Sequence, residues 1–178
     1  MRVIGGEFRS RRLKTLPGRA LRPTPDRLRE SLFSVLGPRI NGCVFLDAYA
    51  GCGAVGIEAL SRGASCAVFI EKHWAAARLI EENLRSLGAE SRAQVLCGPV
   101  LKHLRRLEAD IVFIDPPYDL EREYGQAMWL LAERPPGLAI AQHSSRLSLE
   151  EDYGPLRRAR LLKQGDNVLS FFELASAP

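Results

Sequence analysis

The sequence predicts an α/β protein: a mostly parallel sheet with helices on both faces, an antiparallel hairpin near the C-terminus and a basic N-terminal extension. Three observations lead there. Between residues 43 and 142, short apolar runs alternate with segments of helical periodicity, the pattern of strands joined by crossover helices. After residue 142 the alternation stops, and two apolar runs flank Gln164-Gly165-Asp166-Asn167, a hairpin signal. Residues 1–29 carry nine Lys and Arg against Glu7 and Asp26, a net of +7; with +4 overall, the rest of the chain carries −3.

Taken in order, Val3-Ile4, Gly5-Gly6, Phe8 and Leu13 predict a short irregular hairpin or arm. A helix follows, with Thr24 as its N-cap, Pro25 at the first helical position and Asp26 in the first turn. Leu28, Leu32, Val35 and Leu36 fall on one face, and Gly37-Pro38 ends the run. Strands are expected at 43–48, 66–70, 93–96, 110–114 and 138–142, and helices at 53–62, 73–87, 100–107 and 124–132. The closing hairpin is expected from 158–163 and 168–174, seven strands in all. A length of 178 residues suits one domain, with residues 1–38 as basic arm and helix and 39–178 as core.

Composition narrows the function classes. Hydrophobic residues at 46% and charged residues at 26% are those of a globular protein, and no apolar run approaches a membrane span, so no membrane partner is expected. The N-terminus lacks the apolar stretch of a secretory signal. Cys43, Cys52, Cys66 and Cys97 lie far apart without a CxxC, which predicts free thiols in a reducing cytoplasm and no metal site. The basic cluster is interleaved with Val3, Ile4, Phe8, Leu13 and Leu16 and is mostly arginine, the better fork for phosphate. That points to a nucleic acid rather than to a solvated tail.

The first strand runs into Asp47-Ala48-Tyr49-Ala50-Gly51-Cys52-Gly53-Ala54-Val55-Gly56, and Glu71 ends the next strand. Gly51, Gly53 and Gly56 form a literal GxGxxG, and an acid at the end of the second strand can accept hydrogen bonds from ribose hydroxyls. A dinucleotide site would set pyrophosphate on the helix N-terminus. Here the acid Asp47 precedes the first glycine. A carboxylate repels phosphate and attracts a cation, such as the amino group of an amino acid. A ligand with a ribose, a cationic end and a body that approaches glycine backbone closely describes S-adenosylmethionine.

The fourth strand, Ile111 to Ile114, stops at Asp115-Pro116-Pro117-Tyr118. In an open α/β sheet, ligands sit beyond the carboxyl ends of the strands. An exocyclic amine on a nucleobase is a poor nucleophile because its lone pair is delocalised into the ring. The Asp115 carboxylate and the Pro116 carbonyl can accept its two hydrogens, Pro117 restricts the angle of that carbonyl, and the Tyr118 ring offers a stacking face. Positioning then supplies most of the catalysis.

These residues resemble a known family. Asp47 to Gly56, Glu71 and the DPPY motif resemble class I S-adenosylmethionine-dependent methyltransferases, whose fold is Rossmann-like. With RVIGGEFRSRRLK and LRPTPDRLRESLFSVL at the front, the chain resembles the bacterial 16S rRNA guanine-N2 methyltransferase family, RsmD, over nearly its whole length. The resemblance implies methylation of one guanine N2 in 16S rRNA during assembly of the 30S subunit, by a cytoplasmic and monomeric enzyme. It implies a cofactor site of Asp47, Tyr49, Ala50, Gly51, Gly53, Gly56, Glu71, Lys72, Cys97 and Gly98. Asp115, Pro116, Pro117 and Tyr118 would hold the base. Arg2, Arg9, Arg11, Arg12, Lys14, Arg22, Thr24 and Arg27 would contact RNA. Two positions depart from the pattern: Cys97-Gly98-Pro99 stands where many methyltransferases have an acid, and Gln142 where the family often has a glutamate. Trp74 is expected either to flank the adenine or to pack, and His73, His103 and His143 are given no catalytic role. Three other readings are weaker. An adenine-N6 methyltransferase acting on DNA or RNA would share DPPY, but its DNA form needs a recognition domain larger than this length leaves. A catalytically silent RNA-binding assembly factor would not need an intact DPPY. A nicotinamide oxidoreductase would leave the basic arm without a role.

Overall fold

Strand β1 (Val44–Ala48) lies at the middle of the parallel part of the sheet, because the chain winds outward from it twice. It goes first through α2 (Ala54–Ser61), β2 (Cys66–Glu71), α3 (Trp74–Leu87) and β3 (Ala93–Cys97) on one side. It then crosses through α4 (Val100–Leu104) to β4 (Ile111–Ile114) on the other, and through α5 (Glu121–Glu133) to β5 (Leu138–Ser144). Three antiparallel strands complete the order β3-β2-β1-β4-β5-β8-β7-β6: β6 (Asp152–Tyr153), β7 (Leu156–Gln164) and β8 (Asn167–Leu174). This computed structural model describes residues 1–16, 24–117 and 120–175. Among them no helix is long and apolar enough to cross a membrane.

Among the described residues the sheet has eight strands rather than the seven expected. The extra one, β6, is two residues long and pairs with Leu156 and Arg157 across a turn at Gly154. Two residues cannot display an alternating pattern. What holds them is Tyr153, 2% exposed, with its ring edge-on to Trp129 and Phe172. Helix α4 ends at Leu104, three residues early, and α5 begins at Glu121, three residues early, with Glu121 and Glu123 in the first turn, where the helix dipole favours acids. The hairpin turn is tighter than expected, reduced to Gly165-Asp166.

Residues on alternate sides of each strand feed separate cores. Leu46, Val112 and Ala139 face α4 and α5. Phe45, Phe113 and Ile140 face α1 (Asp26–Leu36), while Ala67 and Phe69 lie under α2 and α3. Helix α2 lies very close to β2: a Cβ on Gly56 would sit 2.3 Å from the Phe69 ring. All eight residues of α2 are consequently buried, including Glu58 and Ser61.

Those two side chains capture the N-terminal segment. Its antiparallel bridge between Arg2 and Arg12 makes the expected hairpin. Val3, Phe8 and Leu13 are buried against α2 and α3, so the extension is part of the packed molecule rather than a loose appendage. The Glu58 carboxylate accepts Ile4 N at 2.8 Å, Gly5 N at 2.9 Å and Arg62 Nε at 2.7 Å. Ser61 Oγ accepts Phe8 N, and the Asn83 side chain pairs with both backbone groups of Lys14. A Cβ on Gly6, whose φ is +76°, would meet Ser61 O at 1.8 Å, which explains the paired glycines. Arg29 at 0% exposure ties α1 to the same segment by donating to Arg2 O at 2.8 Å, while its guanidinium also pairs at 2.9 Å with Asp26 of its own helix.

Glu58→Ala strands two backbone N–H groups and the Arg62 guanidinium in a buried place. A loss on the order of 3 kcal/mol or more, and a drop in Tm on the order of 10 °C by calorimetry, are expected. An unchanged melting curve would show that the segment docks by apolar packing alone.

Candidate active site

The carboxyl ends of β1, β2, β3, β4 and β5 form one rim. Ala48 is in register with Ile70 and with Ile114, Glu71 with Cys97, and Ile114 with Ala141. The next residues along that rim are Tyr49, Asp115 and Gln142. The strand order reverses at β1, and a crevice at such a switch point is where open α/β sheets take ligands.

On the β1–β2 side, Asp47 is 2% exposed, and its Oδ2 accepts Gly56 N at 2.8 Å. Its other oxygen takes no hydrogen bond from the described residues. Glu71, 5% exposed, accepts Gly51 N on one oxygen and His73 N on the other, each at 2.8 Å. Glu71 therefore holds the glycine loop and the start of α3; each oxygen keeps a lone pair for a ribose hydroxyl. Gly51 and Gly53 have φ of +57° and +79°, and Tyr49, which is not a glycine, has +69°. That conformation is costly for a tyrosine. Its hydroxyl donates to Glu123 Oε2, and Ala50 N to Ile70 O, anchoring both sides of the turn. Gly98, with φ of +152°, donates its N–H to Glu71 O, and Lys72 and Cys97 are exposed beside it. Trp74 is 68% exposed with Arg78 over its ring, so it does not pack into the core.

On the β4 side, Asp115 is partly buried, Pro116 buried and Pro117 exposed, while the predicted Tyr118 and Arg22 lie outside the described residues. Thr24 is not the N-cap of α1. Pro25 occupies that position, and Thr24 is buried, its hydroxyl donating to Asp115 Oδ2 at 3.5 Å. Proline restricts the conformation of the preceding residue, and this turns Thr24 toward the site. Tyr124 donates to Gln142 O at 2.6 Å and more weakly to Pro116 O at 3.5 Å; a carbonyl oxygen has two lone pairs, and among the described residues Pro116 O takes no other side-chain donor. Gln142 is 5% exposed, and its Oε1 has no partner among the described residues. His143 is buried between Ser144 O and Ser170 Oγ, a structural place.

The two aspartates feel one another. Burial pushes Asp115 up to about 7, with the Asp47 charge adding and the Thr24 hydroxyl opposing. Burial likewise pushes Asp47 up to about 7, opposed by the Gly56 N–H and reinforced by Glu71. A site that holds two carboxylates at this cost is built to receive positive charge and hydrogen-bond donors.

Of the predicted RNA-contacting residues, Arg2, Arg9, Arg11, Arg12, Lys14 and Arg27 are exposed. Arg11 donates to Ser86 O, and Lys14 pairs with Glu82. Glu58, Ser61 and Asn83 were not anticipated as the anchors of that surface. The only signal was an acid in the middle of the apolar helix AVGIEALS.

Residues 1–173 match the model of the family described as "Conserved hypothetical protein 95". The chain belongs to this family. A similar protein is Bacillus subtilis YlbH, provisionally an rRNA methyltransferase, 34% identical over 169 residues that cover 90% of this chain and 91% of that one. The Escherichia coli K12 "Ribosomal RNA small subunit methyltransferase D" is 42% identical over 120 residues, covering 66% of this chain and 60% of that one. The solved structure of Escherichia coli yhhF, provisionally a methyltransferase, superimposes with a TM-score of 0.88 at 29% identity, over 98% of this chain and 97% of that one. The fold of this family member is thus the class I methyltransferase fold that the motifs imply.

Both raised aspartates hold their protons to higher pH in the folded than in the unfolded chain. Their contribution therefore favours the folded state fully below about pH 4 and is lost as pH rises through about 7. Asp115→Asn is expected to gain stability relative to the parent as pH rises from 4 to 7.5, read by urea unfolding at both ends. A difference that does not move with pH would mean that burial does not raise the Asp115 carboxyl above its unfolded value.

Proposed function

We propose that this chain transfers a methyl group from S-adenosylmethionine to the exocyclic N2 amine of one guanine in small-subunit ribosomal RNA, within a 30S subunit or its assembly intermediate. The observation that carries the reading is the meeting of two inward carboxylates, Asp47 and Asp115, at the β1–β4 switch point. One stands over a glycine loop and the other ends in a double proline. The family relatives named for rRNA methylation support the RNA substrate.

The residues present fit this cofactor. Asp47, with one oxygen open, suits the ammonium of the amino-acid moiety. The lone pairs left on Glu71 suit the ribose, and Gly51 and Gly53 allow close approach of the ligand to backbone. Tyr49, Ala50, Gly56, Lys72, Cys97 and Gly98 complete the proposed rim, and the exposed Trp74 indole is available to an adenine. When bound, S-adenosylmethionine supplies an electrophilic methyl group.

Everything else is positioning by the chain. Asp115 accepts one hydrogen of the target amine and the open Pro116 carbonyl the other, which draws the nitrogen toward tetrahedral geometry and frees its lone pair. Thr24 orients Asp115 from the opposite side. Asp115 must be ionised to accept, so a cation at Asp47 helps by lowering both pKa values. Tyr118 is proposed as the stacking face. Arg2, Arg9, Arg11, Arg12, Lys14, Arg22 and Arg27 are proposed to hold the RNA backbone.

Incubation of the protein with labelled S-adenosylmethionine and undermodified 30S particles, followed by nucleoside mapping, is expected to yield N2-methylguanine. Label in N6-methyladenine would replace the base assignment. Asp115→Ala should abolish transfer while cofactor affinity changes little by calorimetry; turnover at the parent rate would remove Asp115 from catalysis. Asp47→Asn should weaken cofactor binding by about 1–3 kcal/mol, the worth of a charged hydrogen bond.

A further inference from the structure

The RNA surface drawn from the N-terminal motifs lies on one side of the catalytic rim. The structure carries a second basic feature, along α1, where Arg27 of the N-terminal motif meets Arg160, a residue that no motif announced. A groove of about 540 Å³ runs between α1 and β7, lined by Arg27, Glu30, Ser31 and Ser34 of the helix and by Arg160 and Leu162 of the strand. We propose that this groove holds the phosphate backbone of the RNA strand flanking the target nucleotide, with Arg27 and Arg160 as a two-sided clamp. The proposal rests on the RNA-methylation reading above and extends it to the C-terminal hairpin.

Four observations carry it. First, Arg160 faces the groove because of a β-bulge. Arg158 pairs with Phe172 and Arg160 with Phe171, so Ala159 is the extra residue. In a regular ladder Ala159 would oppose Phe171, and Arg160 would turn to the opposite face, beside Ser170. The bulge moves Arg160 and, two residues on, Leu162 to the side of α1, and bulges next to sites commonly re-aim a side chain in this way. Second, the arginines of β7 are not equivalent. Arg157 is held by Asp152 and Arg158 by Glu151, whereas neither Arg160 nor Arg27 has an ion pair or hydrogen bond among the described residues. Third, the Ser31 and Ser34 hydroxyls, one turn apart on α1, likewise have no partner there; hydroxyls and guanidinium forks together are donors suited to phosphate oxygens. Fourth, the groove is joined to the site by the helix itself. Thr24, two residues before α1, touches Asp115, and Arg27 is in the first turn. Arg27 thus stands within the first turn after the residue that touches Asp115, so the groove starts at the same end of the helix as the site.

Glu30 makes the proposal testable in both directions, since it is the one acid lining the groove. Dissociation constants for a fluorescent transcript of small-subunit rRNA would be measured between 50 and about 200 mM salt, a range over which phosphate contacts dominate the change in affinity. The full-length parent would be compared with Arg160→Ala, Glu30→Gln, Arg157→Ala and the triple variant Arg9→Ala, Arg11→Ala, Arg12→Ala. Arg160→Ala is expected to weaken binding about 3- to 10-fold and to lower the salt slope by about one. Glu30→Gln should tighten binding, and Arg157→Ala, whose charge is already paired, should change it little. S-adenosylmethionine affinity and thermal unfolding should stay at parent values throughout. If the triple variant weakens binding while Arg160→Ala and Glu30→Gln leave both constant and slope unchanged, the groove is not an RNA site and the methyltransferase reading stands. If the parent itself does not bind the transcript or undermodified 30S particles, that reading falls with it. Should Arg160→Ala unfold, the gain expected from Glu30→Gln decides alone.

Discussion

The close approach of α2 to the sheet is the constraint on which the rest depends. Only a glycine at position 56 lets the helix come down onto Phe69. At that distance Gly56 N reaches Asp47 and fixes the acid at the end of β1. At that distance, too, Glu58 and Ser61 are sealed from water and must find partners, and the partners they find are the backbone N–H groups of Ile4, Gly5 and Phe8. One helix therefore sets the β1–β2 side of the rim with its first turn and the exposed arginine surface with its last. A buried carboxylate without donors would be strongly unfavourable, so the N-terminal hairpin and α2 stabilise each other.

The two aspartates of the rim show the reverse arrangement. Glu58 is satisfied within the chain, whereas Asp47 and Asp115 each accept one hydrogen bond from the described residues and are held in an unfavourable, buried field. The protein carries this cost at the point where the proposed ligands would relieve it, an ammonium on one side and an amine on the other. The same site is bracketed by basic surface, with the N-terminal hairpin on the α2–α3 side and Arg160 on the β7 side of α1. A strand of RNA lying across α1 would meet positive charge before and after the target base.

Much of this was legible in the sequence because it depends on local chemistry. Alternating apolar runs gave the parallel core. Gly51, Gly53 and Gly56, followed by Glu71, marked one half of the rim at the carboxyl ends of the strands, and Asp115 before two prolines marked the other. What stayed hidden depends on distant contacts. Thr24 has every feature of an N-cap, yet the proline after it turns it toward an acid 91 residues away. Two adjacent glycines announce flexibility, but in the fold Gly6 is needed for contact with the Ser61 carbonyl. The extra residue at Ala159 cannot be read from LRRARLLKQ, where three arginines look alike; the partner strand alone decides which of them faces α1. Strand β6 is created by Tyr153 packing on Trp129 and Phe172, not by a pattern of its own.

The docking of residues 1–14 also has a consequence for the order of events on the ribosome that makes this protein. This stretch has its hydrogen-bond partners 53 to 69 residues downstream, in Glu58, Ser61 and Asn83. Until α2 and α3 have been synthesised and laid on the sheet, Val3, Phe8 and Leu13 have nothing to pack against, and the arginines between them belong to an unstructured basic peptide. The shaped surface comes into being late in folding. A nascent chain is thus kept from presenting a finished arginine surface while it is still surrounded by ribosomal RNA.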